Sequence, residues 1–196
     1  MFGKLLYYID KRAMVTWARR NFNKQSPESG NPSLTNYLDF SRISNDSYDC
    51  TNFVSHAILS GGSPMLDSGI GGVSSRGWYF KDAFNRSSSW SGVGELYNFI
   101  ISNAYIGPIG DAVPYRNLDF GDRLFEEGDI IQFSNGSFWR HTGIITGFAP
   151  SSDGSGKLEA LVTGRTSREL YNDNQYQSTI YPGLPRRIIR LKGFYR

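Results

Sequence analysis

The spacing of apolar residues changes once along this chain, and that change limits the fold more than any other feature. Before Pro108 apolar positions recur at helical intervals, and after it they fall in short blocks separated by turn residues. Leu5, Tyr8, Ile9, Met14, Val15, Trp17 and Ala18 predict a helix over Lys4 to Asn23. A second pattern opens at Cys50, carries Phe53, Val54, Ala57 and Ile58 on one stripe, and closes at Gly61 and Gly62. Val93, Leu96, Tyr97, Ile100 and Ile101 predict a third helix over Ser91 to Ala104. The stretches 31–49 and 61–75 hold no period and read as loops. Strands are expected at Asp129 to Phe133, Phe138 to Phe148, Leu158 to Thr163 and Arg186 to Tyr195, with Asn135-Gly136 as a hairpin turn. Helices first and antiparallel strands second describe an α+β domain with its sheet in the second half. A chain of 196 residues forms one such domain, 1–196, with a sizeable core.

Composition narrows the function classes. One cysteine, Cys50, excludes an internal disulfide, a multi-cysteine zinc site and a CxxC redox pair. Two histidines far apart in sequence make no metal signature, and Gly69, Gly71 and Gly72 lack the Lys-Ser/Thr that follows a phosphate-binding loop, so no cofactor is expected. A net charge of +3 does not support nucleic acid as a partner. The basic run Arg186, Arg187, Arg190, Lys192 and Arg196 alternates with Ile188, Ile189 and Leu191, as on a half-exposed last strand. No apolar run reaches the roughly 18 residues of a membrane span, and Leu5 to Ile9 is too short for a signal-peptide core.

What remains is the chemistry of Cys50. A thiol reacts as its thiolate, and a helix start favours that anion through unpaired N–H groups. A nearby histidine would take the proton and later return it to a leaving group. His56, six residues on along the same helix, lies about 240° round and about 9 Å along the axis, and reads as a structural or groove-edge residue. His141 starts the β run His141-Thr142-Gly143-Ile144-Ile145-Thr146-Gly147, so Cys50 on a helix and His141 on a strand form the candidate pair. The aromatics Trp78, Tyr79, Phe80, Phe84 and Trp90 line a groove or fill a loop-covered core.

The strings Asp49-Cys50-Thr51-Asn52-Phe53-Val54-Ser55, Gly61-Gly62-Ser63-Pro64-Met65, Trp78-Tyr79, Ser89-Trp90, Gly128-Asp129-Ile130-Ile131-Gln132-Phe133 and His141 to Gly147 resemble the putative amidase domain family of bacteria. That family is related to the NlpC-type, papain-like cysteine peptidases, and the resemblance runs from about Tyr8 to Arg168. It implies a papain-like α+β fold with the Cys50 helix packed on an antiparallel sheet, Cys50 as nucleophile and His141 as base. It further implies amide hydrolysis through a thioester, a cell-wall or similar peptide as substrate, and an extracellular or cell-envelope location. Asp49 would shape the site or hold a polar group of the substrate, and Asn52, Trp78 and Trp90 would support the site or contact substrate.

One departure carries weight. Family members place a His or another polar acceptor on the strand after the catalytic His, and the matching string here puts Arg165 at that position. A guanidinium has five donors and no acceptor, so it cannot hold the imidazole by accepting its N–H. Three readings stay open: a Cys-His dyad, another acceptor such as Asp153 or Asn174, or a silent binding module with the same groove. The Cys50 backbone N–H is the natural oxyanion donor, with Ser44, Asn45, Ser47 and Tyr48 available for a second.

Overall fold

The computed structural model describes residues 5–31, 33, 36–43, 48–167 and 170–196. The fold is α+β, as the change of period requires. Helix α1 spans Lys11–Asn21 and α2 Cys50–Ser60, with a 3-10 turn at Phe40–Arg42 between them. Three short strands follow, β1 (Val73–Ser74), β2 (Phe80–Asp82) and β3 (Asn85–Ser87), then α3 (Ser88–Ser91) and α4 (Val93–Ser102). Six longer strands complete the chain: β4 (Gly107–Pro114), β5 (Ile130–Ser134), β6 (Trp139–Pro150), β7 (Leu158–Ser167), β8 (Leu170–Tyr176) and β9 (Arg186–Tyr195). These six form one sheet in the order β4-β9-β5-β6-β7-β8, antiparallel at every neighbouring pair.

Two expectations need correction. The first helix starts at Lys11, because Asp10 caps it by accepting from the Ala13 N–H at 2.9 Å. Tyr7 instead pairs in extended form with Phe194, exchanging backbone hydrogen bonds of 2.9 and 3.1 Å, and Lys4 lies outside the described residues. The third helix breaks in two at Gly92, whose backbone is extended and where a Cβ would fall 2.2 Å from Glu95 Oε2. The last strand, β9, is interior, between β4 and β5: Ile188, Ile189, Leu191 and Phe194 are buried while Arg190 and Lys192 between them stay partly exposed, as the alternation of charges predicts. Its charges are tied locally, with Arg190 and Lys192 on Asp111 at 3.0 and 2.7 Å and the Arg187 guanidinium stacked on the Tyr97 and Trp139 rings.

The sheet buries both faces. One packs on the helices, with Ile130, Ile144, Ile189 and Leu191 against Phe53, Val54, Ala57 and Ile58 of α2. The other carries Ile131, Phe133, Ile145, Val162 and Ile188 against Leu118, Phe125 and Ile180. Neighbouring residues of each strand therefore serve different cores, as the two-residue strand period dictates. Gly128-Asp129 ties α1 to this sheet. Buried Asp129 accepts from Lys11 Nζ at 2.6 Å and from the backbone N–H groups of Glu126 and Leu191, both at 2.9 Å. Gly128 has φ +88°, and a Cβ there would meet Lys11 Cβ at 2.4 Å.

Candidate functional site

Cys50 is the first residue of α2, as its sequence pattern predicts, and is only 3% exposed. Its Sγ lies 3.8 Å from Thr51 Oγ1 and takes a backbone hydrogen bond from Thr142 on β6. Thr51 Oγ1 in turn meets Thr142 Oγ1 at 3.2 Å, which locks the helix start to the strand. Burial pushes the thiol up from its usual range and the Asp49 charge adds to that, while the Thr142 and Thr51 hydrogen bonds act in the other direction.

His141 precedes Thr142, so alternation turns it to the opposite face of β6. Its ring is 1% exposed and packs beside Phe133 at 5.8 Å and Tyr181 at 6.1 Å. Neither ring nitrogen has a hydrogen-bond partner among the described residues, and burial pushes the imidazole down to about 4. The structure thus brings Cys50 and His141 to adjoining places, through Thr142 and through Tyr181, without a hydrogen bond between thiol and imidazole. Burial disfavours the charged form of both groups. The two alternative acceptors do not reach the ring: Asp153 bonds Ser155 and Asn117 in the 151–157 turn, and Asn174 Oδ1 accepts from Thr146 Oγ1 at 3.4 Å.

Arg165 does something else. Its side chain is fully buried on the helix side of β7, where Nη2 donates to Asp39, Nε lies 3.0 Å from Asp49 Oδ2, and Nη1 donates to the carbonyls of Phe22 and Lys24 at 3.2 and 2.7 Å. It therefore joins the end of α1, the 3-10 turn and the start of α2 to the sheet. Asp49 does not cap α2 with its side chain. Its carboxyl accepts instead from the Phe40 N–H, from Asn52 Nδ2 and from the Tyr37 hydroxyl, while burial and the nearby Asp39 push it up to about 7.

Asn52, Trp78 and Trp90 are all fully buried and form a single bonded knot against α2. Asn52 donates to the Leu38 carbonyl and accepts from Trp90 Nε1 at 2.6 Å. Trp78 Nε1 donates to Ser55 Oγ, and Ser55 donates to the Trp90 carbonyl. Of the two places open to these tryptophans, groove or core, the structure puts them in the core. His56 is likewise structural, boxed by the rings of Trp17, Tyr37, Phe80 and Trp90, with Nδ1 accepting from the Gly30 N–H at 3.1 Å. Burial pushes it down to about 3.

Ser44, Asn45 and Ser47 lie outside the described residues. Tyr48 is 47% exposed, and its hydroxyl accepts from Arg140 Nη2 at 3.1 Å. The residues that sequence reasoning missed are Thr142, Tyr181, Arg140 and Asp39. Alternation puts His141 and Thr142 on opposite faces of β6, and the fold decides that Thr142 is the one that meets the helix. Nothing local marks the other three. Among the described residues no cluster of three or more His, Cys, Asp or Glu could hold a metal ion.

No curated protein and no solved structure matches the chain. The family described as a putative amidase domain matches residues 8–186, nearly the whole length and all of the elements above up to the start of β9. The chain belongs to that family, whose description is that of an amidase-type hydrolase.

Proposed function

We propose that this single domain is a cysteine-dependent amide hydrolase of papain-like, NlpC-related type, with Cys50 as nucleophile and His141 as general base and acid. The observation that carries the reading is the placement of the only cysteine at the start of α2, with the residue after His141 hydrogen-bonded to its sulfur. Cys50 gives its proton to His141 and attacks the amide carbonyl. The C–N bond breaks, and the imidazolium protonates the departing amine. Water, deprotonated by His141, then attacks the thioester, and the acid leaves as the thiol is restored. N–H groups at the start of α2 stabilise the oxyanion. The substrate class is a cell-wall peptide or a similar peptide amide. Asp49, Asn52, Trp78, Trp90 and Arg165 act from behind by fixing the helix start, and none of them touches substrate. Thiol and imidazole are not hydrogen-bonded to each other in the free protein, and catalytic hydrogen bonds commonly tighten only with substrate bound.

A second reading is a silent binding module. It is favoured by the two unpartnered nitrogens of His141 and by the commitment of Arg165 to Asp39 and Asp49, which leaves the imidazole without an orienting acceptor. Alkylation of Cys50 by iodoacetamide between pH 4 and 9 separates the two. The hydrolase labels rapidly well below the free-cysteine value of about 8.5 and loses this on His141→Ala. Labelling that rises only near that value, indifferent to His141→Ala, overturns the hydrolase.

A further inference from the structure

Around Cys50 and His141 stand three residues, Tyr181, Arg140 and Tyr48, outside the strings that carry the family resemblance. Tyr181 is an aromatic residue at φ +51°, in the left-handed region that bulky side chains avoid. Its backbone is held there from outside, since its carbonyl accepts from the Leu184 N–H at 3.3 Å and from Arg186 Nη2 at 3.4 Å. Such strain persists where the surroundings over-determine it, and it concentrates at functional sites. The half-buried ring packs on His141, and the charges of Arg140, Cys50 and Tyr48 all act on its hydroxyl. Arg140, one residue before His141, alternates to the Thr142 side, where it reaches Tyr48 two residues before Cys50. Tyr181 and Tyr48–Arg140 thus flank the sulfur from the two faces of β6.

Arg140 is exposed, and among the described residues it has no carboxylate within ion-pair distance, in contrast to Arg116, Arg165 and Arg190. Its hydrogen bond to the Tyr48 hydroxyl uses a single N–H of the fork and leaves donors that match a carboxylate in pairs.

We propose that Arg140, held by Tyr48 and faced by Tyr181, is a carboxylate-recognition residue at the mouth of the Cys50 site, selecting substrates with a free carboxylate next to the scissile amide. This deepens the hydrolase reading by naming a substrate class, and it rests on Cys50 being the reacting group. Its test compares two alkylating reagents of nearly equal size, the anion iodoacetate and neutral iodoacetamide, on folded protein at one pH. The ratio of their rates at Cys50 is referred to the same ratio for the urea-unfolded chain. Recognition predicts a ratio at least about tenfold above that reference, as expected for one charge-assisted pair. Arg140→Gln brings it to within about threefold of the reference, while Arg123→Gln, in a loop remote from Cys50 in sequence and contact, leaves it high. Added salt lowers it.

A folded-state ratio equal to the reference, or a Cys50 that neither reagent reaches in the folded protein, overturns the proposal. The outcomes separate from those of the hydrolase test. A His141-dependent labelling profile with a reference ratio keeps the hydrolase and removes carboxylate selection. A high, Arg140-dependent ratio with a free-thiol pH profile keeps the carboxylate site and removes the hydrolase.

Discussion

Arg165 and His141 lie on adjacent strands, both are buried, and both are polar, yet they are opposites. Arg165 is partnered on all sides: Asp39 and the carbonyls of Phe22 and Lys24 accept from its guanidinium, and Asp49 lies at ion-pair distance. His141 has two nitrogens and, among the described residues, a hydrogen-bond partner for neither. A fully partnered buried charge is part of the framework, because taking any contact away leaves another charge stranded. A buried polar group without partners contributes nothing to the framework through hydrogen bonding, so its presence needs a different reason. The comparison divides the candidate site residues into a scaffold of Arg165, Asp39, Asp49, Asn52 and Trp90, and the proposed reacting pair, Cys50 and His141.

The largest test of that division is Arg165→Met. It strands Asp39 and Asp49 in the core and is expected to destabilise by about 3 to 5 kcal/mol in urea unfolding. Adding Asp39→Asn and Asp49→Asn should recover a good part of the loss, since an apolar and neutral cluster has no charge left to desolvate. A cost below about 1 kcal/mol for the single change would break the comparison. Asn52→Ala comes next, at about 2 kcal/mol, because the Trp90 indole N–H and the Leu38 carbonyl lose their partner inside the core. Trp90→Phe in the same chain should couple with it in a double-mutant cycle, since it removes the stranded donor.

These residues also show how much was legible. The Cys50 helix was, since a stripe of Phe53, Val54, Ala57 and Ile58 ended by two glycines has one reading at helical period. The central sheet was too, apart from β4, where Gly and Pro at 107, 108, 110 and 114 hide a strand that pairs along its whole length with β9. The small β1-β3-β2 sheet and β8 were not legible, because strands of two or three residues and one rich in Asn, Asp and Gln carry no period of their own. The identity of Cys50 and His141 as candidates came from residue type and order. Their relation did not, because it depends on which face of β6 meets the helix. The role of Arg165 was hidden for a further reason: its partner Asp39 sits in a loop 126 residues away and was reached only through the fold.

The pH dependence of stability sharpens the contrast between the two histidines and Asp49. His56 is held neutral in the fold, down to about 3, against about 6.5 when unfolded. Between those values the unfolded chain binds more protons, so stability rises with pH across the window and is lost as pH falls through it. Asp49, raised to about 7, has the opposite sign, since its folded form binds the extra proton between about 4 and 7. The net curve of the wild type mixes the two, so the readout is the stability difference between wild type and His56→Phe. That difference should change by about 2 kcal/mol between pH 7 and pH 5, with the wild type losing more on acidification. A constant difference would mean that His56 titrates in the fold as it does in the unfolded chain, and a change of the opposite sign would mean that the fold holds it protonated.

The smallest expected effect is the most informative. His141→Leu replaces a buried ring by an apolar side chain of similar volume, and no hydrogen bond is there to lose. The imidazole's burial is unfavourable in the fold for the same reason that its charged form is disfavoured. The change in stability should therefore stay within about 1 kcal/mol, with stabilisation as readily as loss. Alkylation of Cys50 below neutral pH should nevertheless fall at least about tenfold if the imidazole is the base. A residue kept at a buried position where leucine fits as well is kept for its chemistry. If instead His141→Leu unfolds the protein, the imidazole belongs with Arg165 in the scaffold. The division drawn between the two strands would then be in the wrong place.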